Sequence, residues 1–197
     1  VLMKKFFYLL VLTLVIGSVS LSAQNFAKKG VWEFGGSIGF SSVTYVYDGE
    51  SADDAASSFM FDPYIGYFVI DCLELGLVPS FETYSLGDYS SNSFGIYFAP
   101  AWNFDLQSNV FPFIEGRVGY NTSTVKYDDG EEEIEETASG LAYGARGGVK
   151  VQLGNSALVN ASIGYMMATM EPDGWEGDRV GSNGFDLMVG FTVFLGK

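Results

Sequence analysis

Nine ionisable side chains stand inside stretches that are otherwise almost free of charge. The acids are Glu33, Asp62, Glu74, Glu82, Glu115 and Asp186; the bases are Arg117, Arg146 and Lys150. Charges withdrawn from water are costly unless each meets an opposite partner. The set therefore reads as an ion-pair network filling an interior, with a narrow polar path for small solutes as the sharper alternative. A second group of acids lies between these stretches. Asp48, Glu50, Asp53 and Asp54 come first, then Asp88, then Asp128, Asp129, Glu131, Glu132, Glu133, Glu135 and Glu136. With Glu171, Asp173, Glu176 and Asp178 they make sixteen of the 24 acids. Such runs are ordinarily hydrated surface. Carboxylate oxygens also suit calcium or magnesium. Asp173, Glu176 and Asp178, in the run Asp173 to Asp178, are the candidate ligands, although they match no complete calcium-site spacing.

Other chemistry is excluded by residue type. The chain has no histidine, which removes Ser–His and Cys–His nucleophiles and the common His-ligated metal centres. Lys150 is the one interior candidate for a lysine base, and no serine nucleophile is suggested beside it. No catalytic residue and no cofactor is assigned, and the reading is non-enzymatic. With 10 Lys+Arg against 24 Asp+Glu, the net charge of −14 disfavours nucleic acid, whose phosphates need a basic surface. Cys72, the single cysteine, closes no disulfide within the chain.

The elements that must position the nine charges are strands. Leu73, Leu75, Leu77, Pro79 and Phe81 alternate with Glu74, Gly76, Val78, Ser80 and Glu82. Phe185, Leu187, Val189, Phe191, Val193 and Leu195 alternate with Asp186, Met188, Gly190, Thr192, Phe194 and Gly196. Period-2 alternation of this kind is the mark of a sheet with unlike faces. It predicts eight strands, over 31–47, 57–70, 73–85, 92–104, 111–127, 137–153, 157–169 and 181–196. Short connections at Asp71-Cys72, Asp105 to Val110 and Gly154 to Ser156 alternate with longer polar ones. An even strand number puts both chain ends at the short-turn side, as in an outer-membrane barrel. The apolar run from Pro63 to Phe81 is broken by Pro63, Asp71, Glu74 and Pro79, which fits a hairpin and not a membrane helix.

Which face meets lipid follows from the residue sizes. One face is bulky and nearly uncharged on every strand; the other carries Gly, Ser, Ala and Asn with the nine charges. A soluble barrel would be apolar within and charged without. Only 17% of the residues are charged and 48% are hydrophobic, where soluble domains have about a quarter charged. The bulky face therefore points to hydrocarbon and the small, ionic face fills the axis. Closure removes the unpaired edges that lipid forbids. The fold expected is all-β, an eight-stranded antiparallel up-and-down transmembrane β-barrel over residues 24–197. Trp32, Tyr45, Phe59, Tyr97, Trp102, Phe111, Tyr120, Tyr143 and Phe185 lie near strand ends, where headgroup contact or cross-strand packing is expected. Pro79 and Pro100 lack the ladder donor and are candidate markers of a lateral gap.

Residues 1–23 read as a signal peptide. Lys4 and Lys5 precede the apolar run Phe6 to Ile16, and Gly17 to Ala23 supplies small residues for cleavage. The apolar core is too short to span, since a helix needs about 20 residues.

The stretch Pro63-Tyr64-Ile65-Gly66-Tyr67-Phe68-Val69-Ile70-Asp71-Cys72-Leu73-Glu74-Leu75-Gly76-Leu77 resembles the strand–turn–strand signature of the small OmpA/OmpX-like porin-family barrels. Pro112 to Tyr120 and Ser162 to Tyr165 resemble later hairpins of that group, and the Ser-Ala-Gln junction is similar to that of Bacteroidetes-type exported proteins. The resemblance implies the fold and a place in the Gram-negative outer membrane. The function expected is an envelope-structural or surface-interaction role, with a narrow porin-like channel for small or hydrophobic solutes as the alternative. Expected partners are outer-membrane lipid and lipopolysaccharide, with divalent cations at the acidic loops and no nucleic acid, around a monomer.

Overall fold

The computed structural model describes residues 26–47, 50–128, 133–173 and 180–196. The signal segment lies outside them. Eight strands follow in order: β1 (Trp32–Tyr47), β2 (Glu50–Ile70), β3 (Leu73–Leu86), β4 (Tyr89–Asn103), β5 (Val110–Asp128), β6 (Glu133–Leu153), β7 (Ala157–Pro172) and β8 (Val180–Leu195). Each pairs antiparallel with the next, and β8 returns to β1 to close the barrel. The end carrying the tight turns 71–72, 104–109 and 154–156 also carries Phe26 and Leu195; it is called the inner end below.

Alternation sets the two faces as expected. Leu75, Ile163 and Phe191 lie on the outside, at 36, 53 and 54% exposure, whereas Arg117 and Arg146 are buried. An eight-stranded ring leaves an interior just wide enough for side chains to fill, so residue volume along the axis decides where it is solid and where it is hollow.

Turn residues account for the tight inner connections. Gly154 takes a left-handed φ of 65° in the β6–β7 turn, a conformation that costs glycine nothing. Cys72 takes φ 69° in the two-residue β2–β3 turn. Its amide donates to the Ala27 carbonyl and its own carbonyl accepts from Asn103, which fixes the strained residue between two neighbours.

The outer ends differ from the sequence reading. Strands predicted to start at 57, 92 and 137 begin at Glu50, Tyr89 and Glu133, and the seventh runs on to Pro172. Glu50, Asp53, Asp54, Asp128, Glu133, Glu135, Glu136 and Glu171 therefore sit on strands and not in loops. Polar pairs hold these extensions together: Thr124 with Thr137 at 3.1 Å, Ser57 with Ser85 at 2.9 Å and Lys126 with Glu135 at 3.1 Å. Both faces of a ladder above the bilayer are wet, so no apolar alternation announces it.

Pro79 and Pro100 each interrupt one ladder, as residues without a donor do: β2–β3 has no pair between Phe61↔Phe81 and Ile65↔Leu77, and β4–β5 has none between Phe98↔Val118 and Ala101↔Glu115. Between β3 and β4 they mark no gap. That ladder is continuous from Leu73↔Trp102 to Leu86↔Tyr89, with Pro79 opposite Ile96 and Pro100 opposite Leu75. The longest unpaired stretch lies between β1 and β8. Its pairs run from Trp32↔Leu195 to Ile38↔Val189 and stop there, although both strands continue for nine further residues.

Candidate functional site: the barrel axis

The axis is built in layers. At the inner end Phe26, Ala27, Val31, Phe68, Phe111, Leu158 and Phe194 form a buried apolar floor. Phe26 precedes the first strand and turns back into the ring of strands. Its ring lies 5.2 Å from that of Phe68 and 4.9 Å from that of Phe111, both edge-on, and 5.3 Å from that of Phe194. Edge-to-face pairs of this kind add to the area they bury.

Lys150 stands on this floor. Its Nζ reaches Glu33 Oε2 at 2.6 Å and Glu74 Oε2 at 3.1 Å, while the rings of Phe26, Phe113 and Tyr64 lie 5.2 to 5.5 Å away. Thr192 donates to Glu33 Oε1 at 2.7 Å, and Asn103 donates to Glu74 Oε2 at 3.1 Å. Glu33 and Glu74 have no solvent exposure at all. Two paired glycines make room for this cluster. Gly66 lies opposite Gly76, and a Cβ on Gly76 would fall 2.7 Å from the Tyr64 hydroxyl.

The next layer is held by two arginines. Arg117 bonds Asp62 across the lumen at 2.5 Å and Glu115, two residues before it, at 2.7 Å. Ser80 donates to the other oxygen of Asp62 at 2.7 Å. Arg146, opposite Glu115 on the neighbouring strand, reaches Asp186 at 2.7 Å and Ser162 at 3.0 Å. Among these groups lies a void of about 30 Å³ lined by Glu33, Asp62, Tyr64, Arg117, Arg146 and Lys150.

Above the arginines the axis is hollow. A cavity of about 560 Å³ is lined by Ser58, Met60, Tyr97, Ala142, Met166 and Glu82, among others. Eight of the nine expected lumen charges thus meet opposite partners. Glu82 does not: it is exposed and forms no ion pair with a described residue. Outside the inner end, Lys28 lies 3.2 Å from Asp105 and 3.5 Å from Asp71. The Lys28 ammonium is raised above its ordinary pKa, chiefly by its hydrogen bond to Asp105. Asp71 is lowered by the Lys29 amide, and Asp105 by the Gln107 amide.

Sequence reasoning missed the aromatic floor. Phe111 and Tyr97, expected among the headgroups, are 2 and 7% exposed and lie inside. Strand parity identifies both, since Phe111 shares its face with Glu115 and Arg117, and Tyr97 shares its face with Ala99 and Asn103. Asn103 and Thr192, the neutral partners of the two glutamates, were missed because polar uncharged residues suit either face. Of the candidate cation ligands, Asp173 is exposed, with its amide bonded to the Thr137 carbonyl. Glu176 and Asp178 lie outside the described residues. Among the described residues no group of three or more Asp, Glu or Cys side chains is placed to hold a metal ion.

Comparison with known proteins agrees with this architecture. The chain matches the outer membrane protein beta-barrel domain family over residues 11–192. Neisserial surface protein A is similar at 17% identity, with 84% of this chain and 97% of that one covered and a TM-score of 0.56. The outer membrane protein OprG of Pseudomonas aeruginosa is similar at 16% identity, with 86 and 98% covered and a TM-score of 0.51. At these identities the likeness is one of fold. No curated protein matches the chain. The chain belongs to the outer membrane protein beta-barrel domain family, and its place is the bacterial outer membrane.

Proposed function

We propose that this outer-membrane barrel is a non-enzymatic envelope-structural or surface-interaction protein, closed to flow along its axis. The observation that carries the reading is the sealed inner half: Lys150 clamped between Glu33 and Glu74, directly above Phe26. A water-filled path would have to break these buried ion pairs, and breaking one costs about 3–5 kcal/mol. The lack of histidine removes the usual catalytic bases and supports a role without turnover. The barrel is embedded as a monomer in outer-membrane lipid and lipopolysaccharide. Its acidic outer hairpins share divalent cations with the lipopolysaccharide phosphates, since hard oxygen donors on both sides suit such ions.

Single-channel recording in planar bilayers tests this reading. The expected result is no discrete conductance from the wild-type protein. Regular conductance steps would instead establish the narrow porin-like channel.

A further inference from the structure

The seam between β1 and β8 and the outer cavity belong together. The register of the seam would place Tyr47 opposite Val180, so pairing is possible to the ends of both strands. It stops at Ile38↔Val189. Neighbouring seams do not stop early: β1 stays paired to β2 as far as Tyr47↔Glu50, and β8 to β7 as far as Met170↔Val180. The strands themselves are therefore intact and only their mutual pairing is missing. Farther along the unpaired stretch β1 carries a register shift against β2 between Thr44 and Val46, and β8 carries the weak strand formers Gly181, Ser182, Asn183 and Gly184.

The unpaired stretch begins within the apolar band. Phe40, Leu187 and Phe185 flank it, at 72, 71 and 77% exposure, higher than any other large apolar side chain among the described residues. Behind it lies the outer cavity, to which these three residues contribute together with Met60 and Glu82. An open strand edge facing hydrocarbon is not tolerated unless it borders a cavity. Here it does.

The polar chemistry of the cavity selects its occupant. Asp62 and Asp186 are engaged by Arg117 and Arg146, which leaves Glu82 as the acid without an ion partner among described residues. Glu82 stands at the height where the seam opens, because Gly39 pairs with Met60 and Met60 pairs with Glu82. Two strand spacings put it about 10 Å from the opening. Arg117 and Arg146 also line the cavity but are balanced by Asp62 and Asp186, so the net charge of its wall is that of Glu82, which repels an anionic headgroup and attracts a cationic one.

We infer that the outer cavity binds a cationic single-chain amphiphile, its head at Glu82 and its tail leaving between β1 and β8 into the outer leaflet. Nothing in this inference depends on whether the barrel conducts along its axis. The methyl groups of Met60 and Met166 line the cavity and report occupancy.

The test is a titration of the full chain in lipid nanodiscs with dodecylamine, read by NMR of isotope-labelled methionine methyls. The methyls of Met60 and Met166 are expected to shift and saturate, dodecanoate to leave them in place, and Glu82→Gln to weaken the amine by about tenfold, as loss of a charged hydrogen-bond partner does. Shifts that never saturate, an equal response to dodecanoate, or an unchanged midpoint in Glu82→Gln would overturn the binding site. The lateral route has its own arm. Phe40→Cys and Leu187→Cys, register partners across the open seam, are joined in a Cys72→Ser background by oxidation, or by a bifunctional maleimide where no disulfide closes. Joining is expected to abolish the shifts and reduction of the disulfide to restore them. Unaltered binding in the joined protein would refute passage through the seam.

Discussion

The inner and outer halves of this barrel share strands, register and alternation, yet one is solid and the other hollow. In the inner half β1 is paired with β8, and the axis is filled by the Phe26 floor and the Lys150, Arg117 and Arg146 layers. In the outer half one seam is open and a cavity of about 560 Å³ replaces the packed axis. Stability in a molecule is not uniform, and binding regions are drawn from its less stable end. The contrast assigns anchoring to the inner half and access to the outer half.

The comparison breaks most visibly at Lys150. Lys150→Met leaves Glu33 and Glu74 buried without a counter-charge and is expected to cost about 4 kcal/mol in urea unfolding from lipid vesicles. Adding Glu33→Gln and Glu74→Gln to it should recover most of that loss, since the penalty lies in the stranded charges. In the outer half Glu82→Gln should stay within about 0.5 kcal/mol of wild type. Equal losses at the two sites would erase the distinction between the halves.

Phe26→Ala ranks next, at about 3 kcal/mol, in line with the truncation of buried aromatic residues. The same unfolding measurement reads it. A change below about 1 kcal/mol would mean that the floor is closed without this ring. A pair of glycines sharpens the contrast further. Gly76→Ala drives a methyl into the Tyr64 ring at 2.7 Å and should cost about 2 kcal/mol, as overpacking does. Gly184→Ala in the outer half meets no atom within 4 Å and should be neutral or stabilise by up to about 1 kcal/mol.

The smallest effect lies at the inner rim. Asp71 and Asp105 are held below the usual aspartate range by backbone amides and Lys28. A carboxyl whose folded pKa is depressed stabilises fully above its unfolded value and loses that contribution as pH falls through the folded one. Unfolding midpoints measured downward from pH ~5 should therefore decline, and Asp71→Asn with Asp105→Asn should flatten that decline. An identical decline in the double variant would place its origin elsewhere.

Much of this was legible in the sequence, and for a physical reason. In β3 and β8 a large apolar side chain recurs at nearly every second position, so one register assigns every residue a face. The charges of Glu33, Asp62, Glu115 and Lys150 could be placed in the lumen from parity alone. Phe26 could not, because it precedes every strand and has no periodicity to place it. Phe111 and Tyr97 were misplaced by residue type, where parity would have put them inside. The outer extensions of β2 and β6 were read as loops because water on both faces removes the alternation. The open seam left no trace of its own, since a missing pair of neighbours is a relation between two distant segments and not a property of either.

The accessibility of the axis from outside tests the division most directly. Single cysteines at Met60, in the hollow half, and at Thr192, beside Glu33 in the solid half, can be placed in a Cys72→Gly background. A membrane-impermeant thiol reagent is then added to the outer face of intact cells. The structure predicts rapid modification of Met60→Cys and none of Thr192→Cys. Modification of both at similar rates would contradict it.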